Sequence, residues 1–553
     1  MSANGFIPER HQPPLPLDRF IVRDAPDEEA VPMDVVFVGG GPAGLAGAIE
    51  LAKLVRADNE NGNGIGDIEI AVLEKAAGMG EHTLSGAVIS PGPFLTLFPD
   101  LDVRDLPFRA PVGEERVYML RKGSAIRIPT PPTMKNHGNY IASLCEVVRW
   151  MGEQAEAVGV NVFTGFPAES LLVDGSSVIG VRTTPAGLSR DGSQGSGYQP
   201  PTDITARVVA LAEGTRGALS QAFFEWQNVT SQNPQIYALG VKEIWETKTP
   251  LDAIIHTLGW PLPTDAFGGS FMYPLEPNVV ALGLVVGLDY GNSRLDVHTL
   301  LQRMKLHPLF RQVLEGGEMV EWGAKTIPEG GYYAIPDRRT GDGCVVLGDS
   351  AGYVEVASLK GVHYAVQSGI LAARAIFDAL KKGDVSAASL SPYDQAVDNS
   401  FITSDLRARR NMRLAFKSGF YMGGAKSLML TLTNGAFPGG RIDSETDAAE
   451  PRVPGPVDQI TPDGSLTFSK LDAVFKAGNA TRDDIPSHLV VGTDIPPDVA
   501  EFYEHVCPAG VYERDGDRLT VNAPNCVDCK ATDILGPRWT PREGGSGPAY
   551  RRM

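Results

Sequence analysis

Asp34-Val-Val-Phe-Val-Gly-Gly-Gly-Pro-Ala-Gly44 is the stretch on which the rest of the chain turns. Val35 to Val38 has the composition of a buried strand, and the segment that follows as far as Leu54 has helical apolar spacing. Gly39, Gly41 and Gly44 fill a G-x-G-x-x-G pattern in the turn between them. The first glycine permits the tight turn, the second lets a pyrophosphate approach the backbone, and the third lets helix pack on strand, with phosphate held at the helix N-terminus. Ile68 to Glu74 reads as a second strand and completes a βαβ opening, with Glu74 placed to accept hydrogen bonds from ribose hydroxyls. The polar insertion ADNENGNGIGD before it reads as a surface loop.

That motif serves NAD and FAD alike, and the choice comes from far downstream. Gly343-Cys-Val-Val-Leu-Gly348-Asp349-Ser-Ala-Gly352 is a strand ending in a Gly-Asp pair, an arrangement in which the carboxylate binds the ribityl hydroxyls of a flavin. Lys360-Gly361-Val-His363 then opens a helix reaching Leu380, whose first N–H groups would face the flavin N1/O2 edge and stabilise negative charge on reduction. Val208 to Gly214 fits a third strand of the same sheet. A nicotinamide enzyme needs no such second motif, so the three segments together indicate a two-domain FAD-containing oxidoreductase.

Working outward, residues 1–33 are rich in Pro and acids and read as an arm laid over a domain. Residues 34–234 and 336–441 form a discontinuous FAD-binding domain, with Leu144 to Ala157 as a helix, Val160 to Phe163 as a strand and 184–203 as a hairpin tip or linker. Residues 235–335 alternate strands with turns and read as an inserted β-rich domain. An acidic, Pro-rich stretch at 442–466 opens the last unit, 442–553, which carries a group of cysteines.

Composition narrows the function. With 42% apolar and 21% charged residues over 553 positions, the composition is ordinary for a soluble globular enzyme and argues against a disordered or fibrous chain. A net charge of −18 repels phosphate backbones, which disfavours a nucleic-acid role. The longest apolar run, Val279 to Leu288, falls short of the roughly 20 residues that a spanning helix needs. The N-terminal stretch has neither a signal core nor transit-peptide character, so the default compartment is cytoplasmic. Five cysteines show no disulfide-framework spacing. Cys145 and Cys344 stand alone in apolar surroundings as inert core thiols, whereas Cys507, Cys526 and Cys529 invite a metal reading.

Several stretches are familiar beyond these motifs. EKAAGMGEHTLSGAV, HTLGWPL, FGGSFMYPL, VALGLVVGLDYGN, EGGYYAIP, LKGVHYAVQSGILAARAIF and the tail from CPAGVYERDGDRLTVNAPNCVDCK to EGGSGPAY closely resemble the electron-transfer flavoprotein:ubiquinone oxidoreductase family. The resemblance covers almost the whole chain. It implies one FAD, one [4Fe–4S] cluster, and electrons passed from reduced electron-transfer flavoprotein to a membrane quinone by a peripheral or monotopic enzyme at the cytoplasmic face of the inner or plasma membrane. The expected fold is therefore α/β: a Rossmann-like FAD domain, an inserted β-rich quinone domain at 235–335 and a C-terminal ferredoxin-like cluster domain. Turn chemistry alone makes Phe267-Gly268-Gly269-Ser270 a structural turn; the resemblance makes Gly268 and Gly269 the quinone-contacting pair.

For membrane contact, Phe416, Phe420, Tyr421, Met422, Leu428, Met429, Leu430, Leu432 and Phe437 suit an interfacial element whose Lys417, Lys426 and Arg441 reach headgroups. Phe94, Leu95, Leu97 and Phe98 offer a second apolar lip. On the residues alone both stretches read equally well as core, and the resemblance favours membrane.

Two departures from the family stand out. Its cluster is held by one cysteine in C-P-A-G and three in C-x-x-C-x-x-C, and here the fourth position is Thr532. The expected outcomes are a cluster with an oxygen ligand such as Asp533 or water, a three-iron cluster, or none, with zinc on three cysteines and a carboxylate as a lesser alternative. Glu355 and Ala357 replace the family's Asn and Pro, and an inward-pointing carboxylate there would disfavour an anionic reduced flavin. The leading function is quinone-linked electron transfer, with no catalytic acid, base or nucleophile assigned. The alternatives are a FAD-dependent lipid reductase or hydroxylase related to geranylgeranyl reductases, and a non-catalytic redox carrier.

Overall fold

The computed structural model describes residues 5–553 apart from 63, 87, 438 and 517, so part of the arm expected at 1–33 and one residue of the 57–67 insertion lie outside the described residues. Four apolar runs, Val35–Val38, Ile70–Glu74, Val208–Leu211 and Cys344–Val346, lie side by side in one parallel sheet. Asn161–Thr164 extends it beyond Ile70–Glu74, and the antiparallel Thr340–Gly341 closes the other edge. Every residue of Val35–Val38 is buried, which is why the run is apolar throughout instead of alternating. The helices Pro42–Glu60 and Val362–Lys382 pack together at glycines: a side chain at Gly369 would strike the Ala43 carbonyl and stand 2.8 Å from the Gly47 nitrogen.

The second sheet runs Glu318–Pro328, Tyr237–Glu246, Val279–Gly287, Gly268–Glu276, Ala253–Gly259, Glu114–Arg121, Ser124–Ile128. Its first five strands come from the stretch expected at 235–335. The last two are a hairpin from 114–128, which sequence reading left with the nucleotide-binding residues. Ala253–Gly259 pairs with Glu114–Arg121 in parallel, from Ala253 opposite Glu114 to Gly259 opposite Leu120. A parallel pairing needs a long crossover and leaves no local turn signal, so the boundary at 235 misses the hairpin.

The N-terminal arm is stitched in. Ile21–Val22 and Val31–Pro32 form the two edges of a sheet built on Ala168–Asp174, Ser177–Thr183 and Asp203–Thr205. Residues 186–199 form the expected hairpin. The C-terminal unit has little regular structure: helices Lys470–Phe475, Pro497–Val506 and Ala531–Leu535, a hairpin Tyr512–Asp515 with Arg518–Val521, and the short pair Leu489–Val490 with Arg538–Trp539. It docks on both other units, with Lys75 paired to Asp528 and the Thr326 amide donating to the Cys529 carbonyl at 3.0 Å.

Two apolar expectations are corrected by burial. Phe94, Leu97 and Phe98 belong to the core, with Phe94 edge-on to Phe108 and Phe98 edge-on to Trp150, so no second membrane lip exists there. Leu430 is also fully buried. The rest of its helix, Phe420–Leu432, is a different matter: Tyr421 is 82% and Leu432 78% exposed, and Met422, Leu428 and Met429 are exposed too. Tyr421, Ala425, Leu428 and Leu432 follow i, i+4, i+7, i+11 spacing and form one stripe, opposite buried Gly423 and Leu430.

Candidate functional site

Between the parallel sheet and the second sheet lies a cavity of about 350 Å³. Gly39, Gly41, Glu74, Asp349 and Gly361, all expected from sequence, line it. Gly39 has φ +112, a conformation that favours glycine, and a side chain there would strike the Ala212 carbonyl. Gly41 caps the helix Pro42–Glu60, and a side chain built on it meets no protein atom within 4 Å. The space next to Gly41 is thus open to the cavity, as a site for pyrophosphate at a helix N-terminus requires. Gly44 does not line the cavity. A side chain on it would collide with the Gly39 carbonyl, so it serves the packing of helix on strand. Gly348, at φ +58, likewise stands outside, tight against Ala43.

Glu74 braces the turn while facing the cavity: its Oε2 accepts from the Gly40 amide at 2.9 Å and its Oε1 from the Ala76 amide at 2.8 Å. A carboxylate has about four acceptor sites, which leaves capacity for ribose hydroxyls. Burial pushes the Asp349 carboxyl up to about 6, with the Lys325 ammonium pulling the other way. Glu355 turns away from the cavity. Its oxygens accept from the Ala357 and Ser358 amides, both at 2.8 Å, and Arg409 stands 3.4 Å off, so its charge is satisfied within its own loop. The neighbours Val354 and Val356 line the cavity in its place.

Sequence reading missed a set of lysines. Lys75, Lys242, Lys325, Lys360 and Lys530 line the cavity, and burial lowers Lys242, Lys325 and Lys360 to about 8 each. Lys242 is 1% exposed, and its Nζ has no hydrogen-bond partner among the described residues. A buried, unpartnered ammonium fits an anionic ligand, and FAD carries a pyrophosphate. The signal was present in the strands: Lys242 stands opposite Gly323 and Lys325 opposite Gly240, each a charge in an apolar run with a glycine across from it for room.

The expected quinone pair does not line the cavity. A side chain at Gly268 would strike the Val285 carbonyl, and one at Gly269 would come within 2.7 Å of the Thr257 carbonyl. Both glycines are needed for strand packing, and Gly269→Val would deform the sheet. Nearby Phe271 and Tyr273 do line the cavity, stacked on each other at 4.8 Å.

Cys507, Cys526 and Cys529 are brought together and buried, and burial first, then neighbouring charge that includes Cys507, raises the Cys526 and Cys529 thiols. Asp528 and Lys530, with φ +54 and +70, curl the chain on either side of Cys529, and the Asp528 amide donates to the Cys526 sulfur at 3.4 Å. Asp533 is turned to other partners, with an ion pair to Arg216. Its Oδ2 accepts from Arg216 at 2.8 Å and its Oδ1 from the Trp539 amide at 2.9 Å. Asp528, fully buried, is held by Lys75, Arg542 and the Trp539 indole. Three thiolates therefore fit a cluster, and the fourth position, Thr532, offers a hydroxyl.

Comparison with known proteins gives the site a family. The family model "ETF-QO, ubiquinone-binding" matches residues 237–327, and "Electron transfer flavoprotein-ubiquinone oxidoreductase, 4Fe-4S" matches 464–551. The chain is 38% identical to the mitochondrial electron transfer flavoprotein-ubiquinone oxidoreductase of Oryza sativa, over 95% of this chain and 94% of that one. It is also 38% identical to that of Homo sapiens, over 94% and 89%. Among solved structures, a geranylgeranyl bacteriochlorophyll reductase-like protein from Thermoplasma acidophilum shares the fold, with TM-score 0.56 and 18% identity over 73% of this chain and 92% of that one.

The cavity's charges give a pH test. Ribityl hydroxyls donating to Asp349 favour its ionised form, so FAD affinity should fall as pH drops below about 6, by up to about tenfold per unit. Lys242, Lys325 and Lys360, lowered to about 8, begin to lose charge only above pH 7, and burial holds His82, which lines the cavity, well below its ordinary value. FAD titration of the apoprotein from pH 5 to 7 should show that slope, and Asp349→Asn should flatten it. An equal slope in the variant would free Asp349 of the role.

Proposed function

The chain belongs to the electron transfer flavoprotein-ubiquinone oxidoreductase family, and from that premise we infer that it takes electrons from reduced electron-transfer flavoprotein and delivers them to ubiquinone through FAD and a [4Fe–4S] cluster. The observation that carries this reading is the junction of the cavity and the three thiols: Lys530, next in sequence to Cys529, lines the cavity, and Lys75, next to Glu74, pairs with Asp528. When bound, FAD supplies a redox centre that exchanges electrons singly or in pairs. The residues do the rest. Gly39, Gly41 and the N-terminus of Pro42–Glu60 would hold the pyrophosphate, Glu74 the ribose and Asp349 the ribityl chain. Lys360, Gly361 and the N-terminus of Val362–Lys382 would set positive potential at the flavin edge that gains charge. Phe271 and Tyr273 would offer the flavin an apolar wall.

Quinone approach along Gly268 and Gly269 is supported by their neighbour Phe267, whose ring lies 5.0 Å from Phe416 at the foot of the exposed helix Phe420–Leu432. Attachment to one face of a membrane is supported by that helix's apolar stripe; among the described residues no helix is long and apolar enough to cross a membrane. We place the protein at the cytoplasmic face, where a soluble electron donor reaches it. The lipid-reductase reading is not favoured, because the likeness to the reductase-like structure is one of fold.

The test is steady-state reduction of a short-chain ubiquinone with reduced electron-transfer flavoprotein as donor. Turnover that depends on both is expected. Flavin reduction with no quinone turnover would make the protein a carrier instead.

A further inference from the structure

A cluster at Cys507, Cys526 and Cys529 can draw on no fourth thiol. The chain has five cysteines. Cys145 lies on the helix Leu144–Ala157, with its sulfur donating to the Thr83 carbonyl at 3.0 Å, and Cys344 is in the parallel sheet, paired with Val209. Two carboxylates are close in sequence, and both are engaged in buried ion pairs: Asp533 with Arg216, and Asp528 with Lys75 and Arg542. Thr532 remains. It is buried in the short helix Ala531–Leu535, three residues past Cys529, and its hydroxyl accepts from Tyr512 at 3.5 Å. Tyr512 stands five residues past Cys507 and Thr532 three past Cys529, so their hydroxyl pair joins the two cysteine-bearing segments.

We propose that the cluster is held by three thiolates only, and that its fourth iron faces Thr532 and carries exchangeable water or hydroxide. This rests on the cluster reading above. A neutral alcohol is a far weaker donor than a thiolate, because its proton is not lost near neutral pH as a thiol's is. The fourth iron is then bound to the protein through the cluster's own sulfides alone. Oxidation releases it: [4Fe–4S]²⁺ gives one electron to ferricyanide, the three Fe–S bonds to that iron break, and the products are [3Fe–4S]⁺, Fe²⁺ and ferrocyanide. Added Fe²⁺ and one electron from dithionite reverse the step.

His488 is the competing ligand. Both its ring nitrogens are unpartnered among the described residues, and it offers an atom within 4.8 Å of the Cys526 sulfur and an Asp528 oxygen. It stands beside Cys526 and Asp528, whereas Thr532 continues the loop past Cys529 toward Tyr512.

The experiment is a ferricyanide titration of anaerobically purified full-length protein, followed by EPR and by iron and sulfide analysis. Wild type should pass from an EPR-silent cluster to a three-iron signal of about one spin per chain, while iron falls from about four to about three with sulfide unchanged. Fe²⁺ with dithionite should restore the iron. Thr532→Cys should hold its iron and cut the three-iron signal at least about tenfold, with FAD content unchanged as the folding control. Wild type that keeps all its iron under the same oxidation overturns the proposal and leaves the cluster reading standing. Nitrogen coupling from a bound imidazole in pulsed EPR, abolished by His488→Gln, overturns it in favour of His488. Absence of iron and sulfide overturns both readings.

Discussion

Gly41→Val is expected to leave the protein folded and strip it of FAD. Gly41 precedes the helix Pro42–Glu60 with an extended backbone, φ −84 and ψ −176, which valine adopts readily, and no protein atom lies within 4 Å of the added Cβ. The side chain therefore costs the apoprotein little. It does enter the cavity at the helix N-terminus, where the pyrophosphate would make its backbone contacts. Losing those contacts should weaken FAD binding at least about a thousandfold, about 4 kcal/mol. The purified variant should carry almost no flavin while its circular dichroism and its iron and sulfide content match wild type. Gly44→Val is the contrast: its side chain would collide with the Gly39 carbonyl, so it should fail by misfolding, with loss of both cofactors. Normal flavin content in Gly41→Val would remove the site assignment.

That contrast marks what the sequence could and could not disclose. The run from Val35 to Gly44 was legible because a parallel strand covered on both faces is apolar at every position, and because its glycines answer local demands. The same logic found Glu74, Asp349 and Gly361, each at the end of a strand or the start of a helix. Direction was not legible. Glu355 satisfies its charge in its own loop, and Asp533 pairs with Arg216, some 300 residues earlier in the chain. The cavity lysines escaped because a lysine in an apolar strand becomes conspicuous only once its partner strand is known, with Gly323 opposite Lys242 and Gly240 opposite Lys325. The hairpin at 114–128 escaped for a related reason, since its parallel partner lies more than 120 residues on.

Leu428→Asp combined with Leu432→Asp is expected to release the protein from liposomes. The two residues are i, i+4 neighbours in the C-terminal half of the stripe that includes Tyr421, and Leu428 is 59% and Leu432 78% exposed. Leu430 would be the wrong target, since it is fully buried and its loss would damage the fold. The contact is expected to be apolar, because two of the cations first assigned to headgroups are already paired: Lys417 with Glu450 at 2.9 Å and Arg441 with Asp443 at 2.8 Å. Lys426 instead donates to the Ser418 hydroxyl. Wild-type binding should therefore survive high salt, which screens exposed charges beyond a few Å. Each leucine withdrawn from water contributes roughly 1.5–3 kcal/mol, so losing both should lower partition by at least about a hundredfold. Flotation with neutral vesicles at low and high salt would measure it, with flavin content as the folding control. Reduction of a water-soluble short-chain quinone should persist in the variant, while reduction of a quinone confined to the bilayer should fall with the binding. Unchanged flotation would show that Phe420–Leu432 is not the anchor, and the stripe would then need a protein partner to cover it.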